Sequence, residues 1–255
     1  MQTTKIVRDL LPEEVNRRKQ VLQKIITVFE KYGYAEIVTP TFENYDTLVR
    51  GLPGALQESA YRFFDHTGEQ MILRPDITTQ IARVVATKLK QEKKPLRLYY
   101  SGDVYRTTKL EIGQHHQCHQ VGIELYNNPG KKGDDEILEI AEACLKTIGL
   151  KGYKLESTNV SKIHKYPPKK KAALLKQDFV AFGRLPKKEE LMAVDIDYYT
   201  GLYFECFVPE IGYILGGGGR YDNLSEIFGE KKPAVGFAFN FDKLIQALDA
   251  QKKRK

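Results

Sequence analysis

Four acids, a row of histidines and a run of glycines are the residues of this sequence whose types could do chemistry. Asp76, Glu124, Asp195 and Asp197 could form an acid–base pair, but their separations along the chain say nothing about distance in space. Taken alone, each is a hydrogen-bonded structural acid or an orienting group. The stretch MAVDIDYYTGLYFE, residues 192 to 205, joins two of those acids to three tyrosines and a glycine, with no basic residue among them. A pocket lined this way suits a small cationic or aromatic ligand. In HHQCH, residues 115 to 119, strand alternation puts His115, Gln117 and His119 on one face and His116 and Cys118 on the other, so the set does not converge on a metal without a bulge. The segment GGGGRYDNL has the glycine density of a phosphate-cradling loop but not the GxxxxGK[ST] order. Close approach of a ligand or a neighbouring backbone to a glycine strand is the favoured reading. GxSxG and HExxH are both absent.

These residues need elements to position them. Residues 12 to 32 predict an amphipathic helix, with Pro12 in the first turn, Val15, Leu22, Ile25, Ile26 and Phe29 at helical spacing and Gly33 as the stop. A short strand, AEIVTP, ends at Pro40. RLYYSGDVYR and QCHQVGIELY read as strands, the second with Cys118, Gln120, Gly122 and Glu124 on one face. A helix is predicted from about Asp134 to Ile148, striped by Ile137, Leu138, Ala141 and Leu145. Residues 157 to 190 read as a small insertion rich in lysine and proline. Strands resume at DYYTGLYFECFVP and GYILGGGG, and a helix from about Phe241 to Ala250 follows. Strands and helices out of strict alternation favour an α+β domain with an antiparallel sheet.

The chain has 255 residues, 42% hydrophobic and 29% charged, enough for a buried core and unlike a disordered chain. No stretch of about 18 apolar residues and no signal-peptide pattern occur, so a cytoplasmic protein without a membrane span is expected. Three scattered cysteines, Cys118, Cys144 and Cys206, fit free thiols in a reducing compartment. Much of the net charge of +7 sits in PPKKKAALLK and the terminal QKKRK, which read as solvated lysines rather than a nucleic-acid surface.

Several motifs occur in a fixed order: RDLLPEE, KYGYAEIVTPTFENYDTL, YRFFDHTGEQMILRPDITTQIARV, GDVYR, HQVGIE, DIDYYTGLYFE, GGGGRYDNL and PAVGFAFNFDKL. Together they resemble the catalytic core of histidyl-tRNA synthetase, a class II aminoacyl-tRNA synthetase, over nearly the whole chain. The resemblance implies an antiparallel β-sheet flanked by helices, dimeric through the motif 1 helix and the strand that ends at Pro40. It implies a histidine site made of Asp76, Thr78, Arg106, Gln120, Glu124, Tyr199 and Tyr221, with the acid at 76 shortened from the family's glutamate. In such a site Asp76, Thr78 and Gln120 suit an α-ammonium, Glu124 and the tyrosines suit an imidazole edge, and Arg106 suits a carboxylate. No metal and no cofactor are expected.

The sequence departs from the synthetases where they activate the amino acid. Arginines of the family correspond here to Val194, Gln114, His116 and Lys243, and a glutamate that helps to hold ATP corresponds to Thr108. Losing one positioned donor costs about two to three orders of magnitude in rate. The synthetases' anticodon-binding domain has no counterpart in this sequence, so residues 1–255 are read as one synthetase-like domain. With LRPDIT and AVGFAFNFD, the chain resembles the regulatory subunits of ATP phosphoribosyltransferase, a family of synthetase paralogues. That resemblance implies a hetero-oligomer with a short-form catalytic subunit, activation of that partner, L-histidine as a feedback effector in the first step of histidine biosynthesis, and no catalysis by this chain. The rivals are a minimal enzyme forming an aminoacyl adenylate and an RNA-binding module.

Overall fold

A computed structural model describes residues 6–107, 115–161, 165–167, 169 and 198–253. Asp195, Asp197, Val194, Thr108, Gln114 and most of the segment 157–190 lie outside the described residues.

Helix α1 (Pro12–Lys31) starts with proline at the first position, where a missing N–H costs no hydrogen bond, and carries Glu13 and Glu14 in its first turn. It ends at Gly33, whose φ of 80° only glycine adopts without strain. Its buried face, Ile25, Val28 and Phe29, packs on the main sheet. The strand predicted over AEIVTP is shorter: β1 is Ala35–Glu36. Beyond it the Ile37 N–H still donates to the Tyr99 carbonyl at 2.9 Å, and the Arg74 guanidinium then takes the Thr39 and Pro40 carbonyls at 2.8 and 3.4 Å.

A three-stranded sheet follows, ordered β2 (Phe42–Asn44), β4 (Gln70–Leu73) and β3 (Arg62–Phe64), with short helices α2 (Tyr45–Leu48) and α3 (Gly54–Ser59) beside it. Helix α4 (Thr78–Thr87) then leads to β5 (Leu96–Tyr105) and β6 (Gln117–Tyr126). Helix α5 (Lys131–Thr147) starts three residues before the expected position, since Gly130 at φ 75° makes the turn into it. The rest is β7 (Lys154–Asn159), β8 (Leu202–Phe207), β9 (Ile214–Arg220), β10 (Ala234–Asn240) and α6 (Phe241–Lys252).

Among the described residues the main sheet has the order β1-β5-β6-β10-β9-β8-β7. It is antiparallel, as expected, except at one edge, where β1 runs parallel to β5. One face packs Val121, Ile123, Leu125, Phe237 and Phe239 under α1, α5 and α6. The other carries Tyr100, Tyr126, Tyr203 and Tyr221 under α4. No helix among the described residues is long and apolar enough to cross a membrane.

Candidate functional site

The polar face of β6 is the floor of the site. Strand alternation sends Cys118, Gln120, Gly122 and Glu124 to one side, and antiparallel pairing sets Asn240, Ala238 and Gly236 of β10 opposite Gln120, Gly122 and Glu124. Gly236 is required there: a Cβ at that position would lie 1.8 Å from Glu124 Oε2. Gly216 and Gly217 of β9 continue the floor, so the glycine run sits inside a sheet rather than at a helix start. A Cβ on Gly218 would meet the Gly236 carbonyl oxygen at 2.1 Å, which makes the close-backbone reading of this run the structural one.

Three further elements close the site. Asp76 and Thr78 enter from the start of α4, Arg106 from the end of β5, and Tyr198, Tyr199 and Tyr221 from the segments flanking β8 and β9. Tyr198 and Tyr199 were expected within a strand. They lie in the turn before β8 instead, where the Thr200 N–H donates to the Arg220 carbonyl at 2.7 Å. All seven residues singled out from the sequence, Asp76, Thr78, Arg106, Gln120, Glu124, Tyr199 and Tyr221, line one cavity of about 420 Å³.

Glu124 is 1% exposed. The Thr78 hydroxyl donates to its Oε1 at 2.7 Å and the Tyr221 hydroxyl to its Oε2. Burial pushes this acid up to about 8 against the opposing pull of those hydroxyls, because desolvation penalises the charged form. Asp76, 5% exposed, is also raised by burial. The nearby Arg106 charge counters that rise, as do the Thr79 N–H and hydroxyl that donate to Asp76 at 3.3 and 3.1 Å. Arg106 is held in place by its own Nε donating to the Pro75 carbonyl at 2.7 Å. Tyr198 packs edge-on against Tyr199 and Tyr221, with ring centroids 4.8 and 5.8 Å apart, and burial raises the pKa of all three phenols.

The cavity therefore carries the acids Glu124 and Asp76 among hydroxyls, and the cations Arg106, which lies beside Asp76, and Lys243. This charge layout fits a small zwitterion with a basic or aromatic side chain. Lining residues missed in the sequence are Tyr203, Glu205, Gly236 and Asn240, with the Tyr203 hydroxyl donating to Glu205 Oε1 at 2.6 Å. Alternation was the available signal: LYFECF puts Tyr203 and Glu205 on one side, and AVGFAFN segregates Gly236, Ala238 and Asn240 from Phe237 and Phe239.

The histidine cluster does disperse. His116 Nδ1 bonds the Tyr61 hydroxyl, whereas His119 sits on the far face of β6 with Ser101 at 2.8 Å and Asp103 at 2.7 Å. Among the described residues no group of three or more His, Cys, Asp or Glu is placed to hold a metal ion. A larger cavity of about 930 Å³ behind Tyr198 and Tyr199 is lined by Arg50, Leu52, Lys165 and Ile227, and its acid Glu226 is paired with Lys231 at 3.3 Å. It gathers none of the convergent acids, so the smaller cavity is the candidate site.

The histidyl-tRNA synthetase family pattern matches residues 6–165 and 191–244, leaving 166–190 unmatched. A protein of Thermoanaerobacter pseudethanolicus named ATP phosphoribosyltransferase regulatory subunit is 34% identical over 97% of this chain and 83% of its own length. That alignment runs over 321 positions, more than the 255 residues here, so it places gaps in this chain. A Histidine--tRNA ligase of Methanocaldococcus jannaschii is 33% identical over 95% of this chain and 74% of its own. A crystal structure described as an ATP phosphoribosyltransferase regulatory subunit/histidyl-tRNA synthetase from Bacillus halodurans superimposes with a TM-score of 0.82 at 25% identity, covering 97% of this chain and 83% of that one.

Proposed function

From the premise that the chain belongs to the histidyl-tRNA synthetase family, and within it to the regulatory subunits of ATP phosphoribosyltransferase, we propose that it is a non-catalytic histidine sensor. It binds a short-form catalytic subunit, activates it, and carries feedback inhibition by L-histidine in the cytoplasm. The observation that carries this reading is the convergence of Asp76, Thr78, Arg106, Gln120, Glu124, Tyr199 and Tyr221 on one cavity that holds both acids and cations. The α-ammonium goes to Asp76, Thr78 and Gln120, the carboxylate to Arg106, and the imidazole to Glu124 with Tyr199 and Tyr221.

Lys243 and His116 at family arginine positions support the absence of catalysis. A lysine is a point charge, and neither residue offers the planar fork that clamps a reacting phosphate. Inhibition then requires histidine to bind one conformation of the hetero-oligomer more tightly than the other, with a coupling of about 1–3 kcal/mol. Homodimerisation through the motif 1 region is supported by exposed apolar side chains there: Val38 is 83% exposed, and the exposed Phe42 and Phe63 rings pack edge-on with centroids 5.6 Å apart. The continuous main sheet supports one synthetase-like domain with an insertion near 157–190.

The test is calorimetric titration with L-histidine, with and without the catalytic subunit, alongside an assay of phosphoribosyl-ATP formation. Histidine binding with histidine-sensitive activity of the mixture is expected. Binding without association or response would leave the pocket and remove the partner. The similarity to a Histidine--tRNA ligase favours a second reading, an adenylate-forming enzyme. Histidine-dependent pyrophosphate exchange by the pure chain would select it.

A further inference from the structure

Two buried carboxyl groups share the cavity, and their surroundings differ. Asp76 faces the Arg106 guanidinium and accepts both an N–H and a hydroxyl from Thr79. Glu124 is met from α4 by the Thr78 hydroxyl, from the segment after β9 by Tyr221, from β5 by Tyr100, and from its own strand by Tyr126. Tyr198 and Tyr199 face it from the turn before β8, and β10 presents Gly236, which has no side chain. Among the described residues no lysine, arginine or histidine pairs with it. The buried Tyr100 hydroxyl lies beside Thr78 and Glu124 and the buried Tyr126 hydroxyl beside Tyr221, so this corner is rich in hydroxyls and poor in positive charge.

Resting on the histidine reading of this pocket, we propose that in the empty site Asp76 carries the negative charge and Glu124 carries a proton, and that the imidazole of bound histidine takes that proton. Burial raises both acids, but only Asp76 has a cation beside it, and such unequal surroundings assign two acids different roles. The upward displacement of Glu124 to about 8 agrees with this division. The step balances without any outside group: one O–H bond of Glu124 breaks, one N–H bond forms on the ring, and the product is a carboxylate–imidazolium pair. The bound ring then supplies the cation that this corner lacks, held by Glu124 beside the Thr78 and Tyr221 hydroxyls.

The consequence is a flat pH response. A free imidazole has a pKa of about 6.5, so at pH 7.2 it is mostly neutral. If Glu124 already holds the proton, binding takes up about zero protons from solvent, and affinity between pH 6.5 and 8 stays constant to within about twofold. If Glu124 is ionised when empty, binding takes up close to one proton and affinity falls by about fifteenfold over the same range. Calorimetric titration of the full chain, alone and with its catalytic subunit, in buffers of different ionisation enthalpy at pH 7.2 counts those protons.

Nitrogen-15 spectra of labelled histidine bound at pH 7.5 give an independent readout. Both ring nitrogens protonated in the parent, and a neutral ring in Glu124→Gln, are the expected results. An uptake near one proton, or a neutral ring bound to the parent, overturns the proposal. Absence of any histidine heat or bound spectrum from pH 6 to 8.5 would instead remove the histidine reading itself, and the proposal with it.

Discussion

The two faces of β6 are built from alternate residues of one strand and are almost equally shut off from water, yet they do opposite things. Val121, Ile123 and Leu125 are fully buried among aliphatic and phenylalanine side chains under α1, α5 and α6. Glu124 and Tyr126, equally buried, meet hydroxyls and a glycine on the other side. Burial of the first set stabilises the fold by removing apolar surface from water. Burial of the second set costs free energy unless each polar group finds a partner, and a ligand is one such partner. The difference separates residues that maintain the sheet from residues that maintain the pocket, at a spacing of one residue.

The largest effect that tests this contrast is on the apolar face. Ile123→Ala removes three carbons from a fully buried site and is expected to destabilise the protein by about 2–5 kcal/mol, read by denaturant unfolding. Histidine affinity of the fraction that remains folded should stay close to the parent's, and a loss of affinity as large as the loss of stability would erase the distinction between faces.

Glu124→Gln is expected to move stability the other way. Its acid titrates at about 8 in the folded protein against an ordinary 4.5. Between those values the unfolded chain has released the proton and the folded chain has kept it. Stability contributed by this group is therefore full below pH 4.5, declines as pH rises towards 8 by about 1.4 kcal/mol for each pH unit crossed, and is level above. The glutamine variant escapes that decline. Its advantage over the parent in unfolding experiments should be greatest near pH 8.5 and shrink towards pH 5, while histidine inhibition of the complex weakens.

Gly236→Ala comes next in size. The new Cβ collides with the Glu124 carboxylate and with the Ile123 carbonyl oxygen at 2.5 Å, so overpacking of about 1–3 kcal/mol is expected together with loss of histidine binding. Unfolding and titration of the same sample check both.

Much of this arrangement was legible in the sequence, for physical reasons that differ between elements. Periodicity announced α1, β5, β6 and α6 because each buries a continuous stripe, and the even positions of β6 could be read as one lining surface. The path after β1 could not, since the Thr39 and Pro40 carbonyls are taken by Arg74, a residue more than thirty positions away in sequence. The early start of α5 follows from a backbone angle at Gly130 rather than from any apolar pattern. The seven pocket residues were legible only through the ordered family motifs, because the gap between Asp76 and Tyr221 along the chain carries no distance. Tyr203, Glu205 and Asn240 were within reach of strand alternation alone, since β8 and β10 alternate as plainly as β6 does.

The smallest predicted effect is the most discriminating within the polar face. The Tyr199 ring packs on Tyr198 and Tyr203 with centroids 4.8 and 5.1 Å away and lines the cavity at the turn before β8. Tyr199→Phe keeps that ring and its packing and removes one hydroxyl. If the hydroxyl serves the ligand, histidine affinity drops by about 0.5–1.5 kcal/mol, roughly three- to tenfold, and unfolding is unchanged. If it serves the fold, unfolding moves by a similar amount and affinity does not. Tyr199→Leu, which removes the ring as well, should lose stability in both cases, so the pair of variants separates what this face does by packing from what it does by hydrogen bonding.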